Sequence, residues 1–317
     1  GNNMKKILKP LTILGVMACL VGCNSQSTIK YDVSYTEAAG QAYDIIEKFS
    51  GMGSSYDVTL GVKEMTCSLT ATEEYDLSDG SASEKYDVKL ISKLNRNQRA
   101  VEYYISETGY ENGVEAFNDF ENYLFFYDVE LGFVLCETNA LGTFWGILFS
   151  NEAIKEKADS KGKTTDEIVD FYLDSFMWDG GLEMSYSYLG SLGTVSEKEY
   201  QESLFKKYIP GAIKYTIGEN GYLAVSTKEE NIDVGINLDS YIYVGKASGE
   251  IDVLFENYLP TKLHVSNSFE GDKINIYNSS VLKGAVEKSV TDISVSHKAK
   301  ISIPDLDKIP YIEGLMA

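Results

Sequence analysis

Cys23 carries the clearest chemistry in the chain. It closes the run Leu20-Val21-Gly22-Cys23, behind the basic start Met4-Lys5-Lys6-Ile7-Leu8-Lys9 and the apolar stretch from Leu11 to Leu20. A positive n-region, an apolar segment too short to span a bilayer and a small residue before a cysteine together make a lipobox. The Cys23 thiol is the atom that would carry the lipid. Each buried methylene contributes about 0.8 kcal/mol, so two or more acyl chains hold a protein stably on a membrane. The sequence therefore predicts that residues 1–22 are a tag scar (Gly1-Asn2-Asn3) and a lipoprotein signal peptide. Residues 23–34, polar throughout their first half, are expected to form a lipidated tether. The place of work is extracytoplasmic, anchored to the cell membrane, and Asn24 with the low Pro and high Lys and Tyr usage points to a Gram-positive surface.

Other reactive constellations are weak. The two histidines, His264 and His297, lie in strand-like segments without Cys or carboxylate partners at metal-ligand spacing. Ser160-Lys161-Gly162-Lys163 fits S-x-x-K, yet the companion motifs of penicillin-recognising enzymes are missing, so it reads as a connection between helices. There is no nucleophile elbow and no phosphate-binding glycine loop. The acidic stretch Asp76 to Glu84 resembles a calcium loop until the first ligand position is checked: it is Tyr75. Carboxylates are abundant, but abundance supplies no geometry. The expectation is a protein with no cofactor and no metal that is not an enzyme. The net charge of −20 becomes −23 once Lys5, Lys6 and Lys9 leave with the leader. That charge excludes nucleic acid as a partner and opposes flat adsorption on anionic lipid.

The elements are read from periodicity. Ala38, Ala42, Ile45, Ile46 and Phe49 mark a helix over 36–49, with Ser34 and Glu37 placed as a capping box. Val58, Leu60 and Val62 alternate, then Met65, Cys67, Leu69 and Ala71 alternate in the other phase, which predicts a β-bulge at Lys63-Glu64. Strands follow at 86–94 and 99–107, and 121–136 is apolar enough to be buried on both sides. Leu141, Phe144, Trp145, Leu148 and Phe149 sit at i, i+3, i+4, i+7 and i+8, a helical stripe. A second helix starts at the capping box Thr164/Glu167 with Ile168, Phe171, Tyr172 and Phe176 on its apolar face. A strand at 182–188 and a short helix from Ser196 precede a β-meander. Hairpin turns are expected at Asn220-Gly221, Ser248-Gly249 and Glu270-Gly271-Asp272, and a last strand at Val295 to Ile303. Cys67 and Cys136 read as two buried thiols in preference to a bridge. With 23 tyrosines, Tyr103, Tyr104, Tyr186, Tyr188, Tyr241 and Tyr243 could stack on sugars, although strand propensity alone accounts for them.

The meander resembles a family. Tyr241-Ile242-Tyr243-Val244-Gly245-Lys246-Ala247-Ser248-Gly249-Glu250-Ile251, Leu259-Pro260-Thr261-Lys262-Leu263 and Lys298-Ala299-Lys300-Ile301-Ser302-Ile303-Pro304-Asp305 look like the closing strands of LolA/LppX-like bacterial lipoproteins. The resemblance covers about the last quarter in motif and the rest only in order of elements. It implies an α+β fold: a strongly curved antiparallel β-sheet, a half-barrel, with helices packed on the concave face. The family pattern is shorter than this chain, so residues 35–317 are expected to form a single domain with a helical insertion around 140–210. Some members carry lipids or lipidated proteins in the curved sheet. The reading is thus a lipoprotein that holds an apolar or amphiphilic ligand without catalysis, the lid being Phe144, Trp145, Leu148, Phe149, Phe171 and Phe176. The same stripes could simply fill a core. The competing class is an envelope interaction protein with a filled interior, binding another surface protein or a glycan.

Overall fold

The computed structural model describes residues 29–50, 62–139, 142–177 and 213–309, together with Leu189, Leu192 and Glu199. The leader with Cys23, Val58, Leu60, Leu141, the strand expected at 182–188 and most of the helix expected from Ser196 lie outside the described residues.

Eleven strands are described: β1 Glu64–Leu77, β2 Ser83–Asn95, β3 Ala100–Glu111, β4 Val114–Asp128, β5 Gly132–Asn139, β6 Gly142–Ser150, β7 Ile213–Gly218, β8 Tyr222–Leu238, β9 Tyr241–Glu256, β10 Leu259–Asn275 and β11 Val281–Ser296. They form one curved antiparallel sheet, in the order β6-β5-β4-β3-β2-β1-β11-β10-β9-β8-β7, that does not close. Three α-helices are described: α1 Tyr35–Ser50, α2 Asn151–Lys161 and α3 Thr165–Phe176. The protein is mostly β, so the expected α+β class holds only in outline. Two meanders, β1–β6 and β7–β11, meet at a ladder between β1 and β11 that runs from Thr66↔Ser296 to Leu77↔Ala285.

Because strand side chains alternate, the register fixes which residues share a face. Leu69 pairs with Ile293, Ile293 with Leu263, Leu263 with Val253, Val253 with Val225 and Val225 with Tyr215. This row faces one side of the sheet, here called the inner face. Helix α1 buries Ala38, Ala42 and Ile45 on its β7–β10 end, against Tyr215, Leu223, Val225 and Phe255. The Ser34/Glu37 capping box forms, with the Glu37 N–H donating to Ser34 Oγ and the Ser34 N–H to Glu37 Oε2. Gln41 Nε2 donates to the carbonyls of Gly218 and Tyr222, tying α1 to the β7–β8 hairpin. Helices α2 and α3 bury Ile154, Ala158, Ile168, Val169 and Leu173 against Met65, Cys67, Leu94, Val101 and Phe133. Arg96 fastens α3: its Nη2 lies 2.6 Å from Asp174 Oδ1 and its Nε donates to the Val62 carbonyl.

The opposite face is covered by the C-terminal segment. Ile301, Leu306 and Ile309 pack with Ala100, Leu124, Phe126, Val134, Cys136 and Trp145. Gln98 holds that segment through both atoms of its amide, accepting from the Ile301 N–H and donating to the Ile301 carbonyl. Asn95 Nδ2 donates to the Ala299 carbonyl. Cys67 and Cys136 are both buried, and no disulfide joins them. Cys136 shares a row with Leu124, Glu102, Lys93 and Thr66, so it faces away from Cys67. It also lies four strands away, about 19 Å at strand spacing, beyond disulfide reach.

Several expectations are corrected. Residues 142–150 form strand β6, and the helical stripe read there is broken by a bulge: Phe149 pairs with Phe133 and Ile147 with Val134, skipping Leu148. Both faces of β6 are apolar because both are covered, Leu148 and Phe149 by the helices and Trp145 by the C-terminal segment. Helical structure in the expected insertion therefore begins at Asn151. β1 begins at Glu64 and pairs with β2 without a register shift, while the segment of Val58 and Leu60 that the Lys63-Glu64 bulge would join to it lies outside the described residues. Ser248-Gly249 and Glu270-Gly271-Asp272 lie inside β9 and β10. Gly245 faces Gly271 across the ladder, where a Cβ on Gly245 would meet the Glu270 carbonyl oxygen at 2.2 Å. The glycines permit close backbone approach in a bent sheet and do not mark turns. Asn220-Gly221 is a hairpin turn as expected, with φ of 55° and 67°. The last strand ends at Ser296, because residues beyond it bond to side chains of β1 and the β2–β3 turn instead of a ladder.

Burial pushes the Cys136 thiol up to about 11. Native protein treated with iodoacetamide at mildly alkaline pH should therefore leave Cys136 unmodified, whereas urea-unfolded protein should be alkylated there. Peptide mass mapping checks it, and equal labelling in both states would contradict the burial.

Candidate functional site

Beyond the helices, the inner face borders a groove of about 940 Å³ between the two wings of the sheet. Tyr75, Tyr86, Phe117, Tyr243 and Phe269 supply rings, and Val234, Ile236, Leu238, Ile251 and Val265 supply aliphatic wall. Each is placed by register. Tyr86, Gly109 and Phe117 form one cross-strand row. A Cβ at Gly109 would lie 2.2 Å from Phe117 Cε1, so the Phe117 ring covers the glycine. It sits 6.0 Å from the Tyr86 ring, centroid to centroid. On the other wing, Tyr243 pairs with Lys273, four residues along β10 from Phe269, and the Tyr243 and Phe269 rings reach each other edge to face at 5.0 Å.

Strand β8 reaches the groove through a bulge. Glu229 pairs with Gly249 and Ile232 with Ala247, and the intervening residues bring Ile232, Val234 and Ile236 to the inner face. Ser248 Oγ accepts from the Asn231 N–H at 2.9 Å and pins the bulge. The Ser-Gly pair read as a turn is therefore the receptor for a bulge on the next strand.

Lys273 sits at the groove's end, just past a bulge at Lys283-Gly284 in β11 that shifts its ladder with β10. Its ammonium pairs with the Glu287 carboxylate and lies 5.3, 4.8 and 5.0 Å from the ring centroids of Tyr75, Tyr241 and Tyr243. Burial disfavours the charge, but hydrogen bonds and charge from Glu287 and Tyr243 outweigh it, so the Lys273 pKa lies above the ordinary lysine value. Burial raises the Tyr75 phenol, with Lys273 opposing. Tyr86 Oη donates to Glu107 Oε1 at 2.7 Å, and that bond, then burial, holds the phenol protonated above its usual range.

None of the six aromatic and aliphatic residues expected as a lid lines this groove. Phe149 and Phe176 meet in an aromatic cluster under the helices: Phe149 stacks on Tyr172 and Phe176 on Phe125, both at 4.3 Å, with Phe133 edge-on between them. Leu148 packs against the same cluster. Trp145 faces the opposite side, where its Nε1 donates to the Ile309 carbonyl, and Phe144 pairs with Glu137 on β5. Phe171 is 45% exposed, displaced from the buried face of α3 by Val169 and Leu173. Of the tyrosines singled out, Tyr243 lines the groove and Tyr241 packs on Lys273, while Tyr186 and Tyr188 lie outside the described residues. Sequence reasoning missed Tyr75, Tyr86, Phe117, Phe269 and Lys273. For Tyr75 a signal existed, since it continues the alternation Met65, Cys67, Leu69, Ala71.

No protein-family model matches the chain, and no curated protein matches it. Among solved structures it is similar to a chain titled S-type phycobiliprotein lyase CPES from Guillardia theta, at 9% identity and a TM-score of 0.19, over 82% of this chain and 97% of that one. The expectation that the protein is not an enzyme is corrected by this finding: the solved chain beside it is named as a lyase, and a non-catalytic role is withdrawn. The likeness, at that identity and score, assigns no reaction to this chain.

The Lys273 arrangement predicts an asymmetry. Glu287→Gln leaves a mostly buried ammonium without its carboxylate and should cost about 1–3 kcal/mol in denaturant unfolding. Lys273→Met replaces the charge with an apolar chain of similar length against three rings and should cost less than about 1 kcal/mol. Equal losses would show that the pair, and not the isolated charge, sets the energy.

Proposed function

We propose that this protein is a membrane-anchored extracytoplasmic lipoprotein that holds an apolar or amphiphilic molecule, a lipid or a lipidated compound, in the hollow of a LolA/LppX-like half-barrel. In this reading the inner face is the concave side, the three helices cover part of it, and the open groove is the binding space. The single observation that supports it most is the groove itself: about 940 Å³, within the usual range of about 300–1,000 Å³ for small-molecule sites, with aliphatic walls from β8, β9 and β10 and rings from both wings. The lipobox supplies the address. The sheet would then stand away from the bilayer on the polar tether, its surface charge opposing contact with anionic headgroups.

Two measurements test this. Lipid extraction of purified protein followed by mass spectrometry should yield a bound amphiphile, and a fluorescent fatty acid or alkyl probe should be taken up with about one-to-one stoichiometry. Neither bound material nor uptake would remove the carrier reading. Separately, Cys23→Ser should release the protein from membranes and abolish metabolic palmitate labelling. A variant that stays membrane-bound would remove the anchor.

A further inference from the structure

Resting on that binding role, we propose that the groove takes an amphiphile whose polar end is an organic ammonium ion, held by Glu73, Glu84 and Glu111 beside the rings of Tyr86 and Phe117. The alternation of the strands sorts the charges around the groove by face. Glu84 pairs with Tyr75 on one side and with Glu111 on the other, and Tyr75 pairs with Glu287, so all four belong to one inward row. Glu73 pairs with Tyr86 and Ser289 in the next inward row. The two lysines that border the groove, Lys85 and Lys288, both pair with Glu74 in the outward phase. The inward charged residues that line the groove are therefore all carboxylates.

Two of them, Glu84 and Glu111, are directly opposite each other, an arrangement that costs stability unless a cation lies between. Glu73, Glu84 and Glu111 make no ion pair among the described residues. The other end of the same row shows what such a wall holds. There Glu287 and the rings of Tyr75, Tyr241 and Tyr243 surround the chain's own ammonium, Lys273. The Tyr86 end repeats the kit of carboxylates and aromatic faces, and the nearest amine, Lys85, belongs to the outward phase, where it pairs with Asp87. An incoming ammonium would gain Coulomb attraction and cation–π contact there, while its alkyl chain would lie along Val234, Ile236, Ile251 and Val265. A carboxylate, sulfate or phosphate head would meet the like charge of Glu73, Glu84 and Glu111 there.

The test uses isothermal titration calorimetry on the full chain with three twelve-carbon probes below their micelle concentrations: dodecyltrimethylammonium, dodecyl maltoside and dodecyl sulfate. At about 50 mM salt the ammonium probe should bind about tenfold more tightly than the maltoside, with the sulfate weakest, and the preference should shrink at about 500 mM salt. Glu84→Gln/Glu111→Gln should remove most of that preference while leaving maltoside affinity within about twofold, which also reports that the variant is folded. Glu156→Gln, on the exposed side of α2 and away from the groove, should keep the preference, separating the groove from the general negative charge of the protein. Maltoside binding as tight as the ammonium probe, tighter sulfate binding, or an unchanged preference in the double variant would overturn the headgroup assignment alone. Failure of all three probes to bind would overturn the binding role as well.

Discussion

The ladder between β1 and β11 is the constraint on which the rest of the molecule depends. Each meander is built from neighbours in sequence, so its hairpins need little chain entropy to close. The central ladder is different. It joins strands from opposite ends of the folded region, and the sheet exists as one object only when Thr66–Leu77 finds Ala285–Ser296 in the correct register. A slip of one residue would send Cys67, Leu69, Ile293 and Val295 to the wrong side and empty both inner clusters at once. The buried apolar row across β1 and β11 is what forbids that slip. Non-local pairing of this kind slows folding, and the helices then lock the result, α1 on the second meander and α2 with α3 on the first.

The groove follows from the same register with no dedicated scaffold of its own. Toward one end of the strands the inner face is filled by helices and carries Met, Leu, Val and Phe. Toward the other, the same alternation continues with none of the described helices over it, and the inward residues become Tyr, Phe, Glu and short aliphatic chains. Bulges in β4, β8 and β11 adjust the phase where a strict alternation would aim side chains outward. Glycines sit where a neighbouring ring or backbone needs the space, Gly109 under Phe117 and Gly245 against Gly271.

What could be read from the sequence was local. The Ser34/Glu37 and Thr164/Glu167 caps were visible because both partners lie within one turn, and Asn220-Gly221 because a two-residue turn carries its own backbone chemistry. What could not be read depended on a partner strand. Ser248-Gly249 looks like a turn until Asn231 of β8 is placed beside it. Phe144 to Phe149 mimics a helix because β6 is covered on both faces and carries a bulge. The groove residues were harder still: Phe117 comes from β4 and Ile236 from β8, seven strands apart in the sheet order, and no spacing along the chain brings them together.

The groove straddles the line where the meanders join. Tyr75, Tyr86 and Phe117 come from one half, and Ile236, Tyr243 and Phe269 from the other. A guest lodged there would touch both and act as an added rivet across the central ladder, raising resistance to separation by mass action. Occupied and vacant molecules would then differ less in shape than in how often their two halves part, so that the cargo itself sets the lifetime of the assembled sheet.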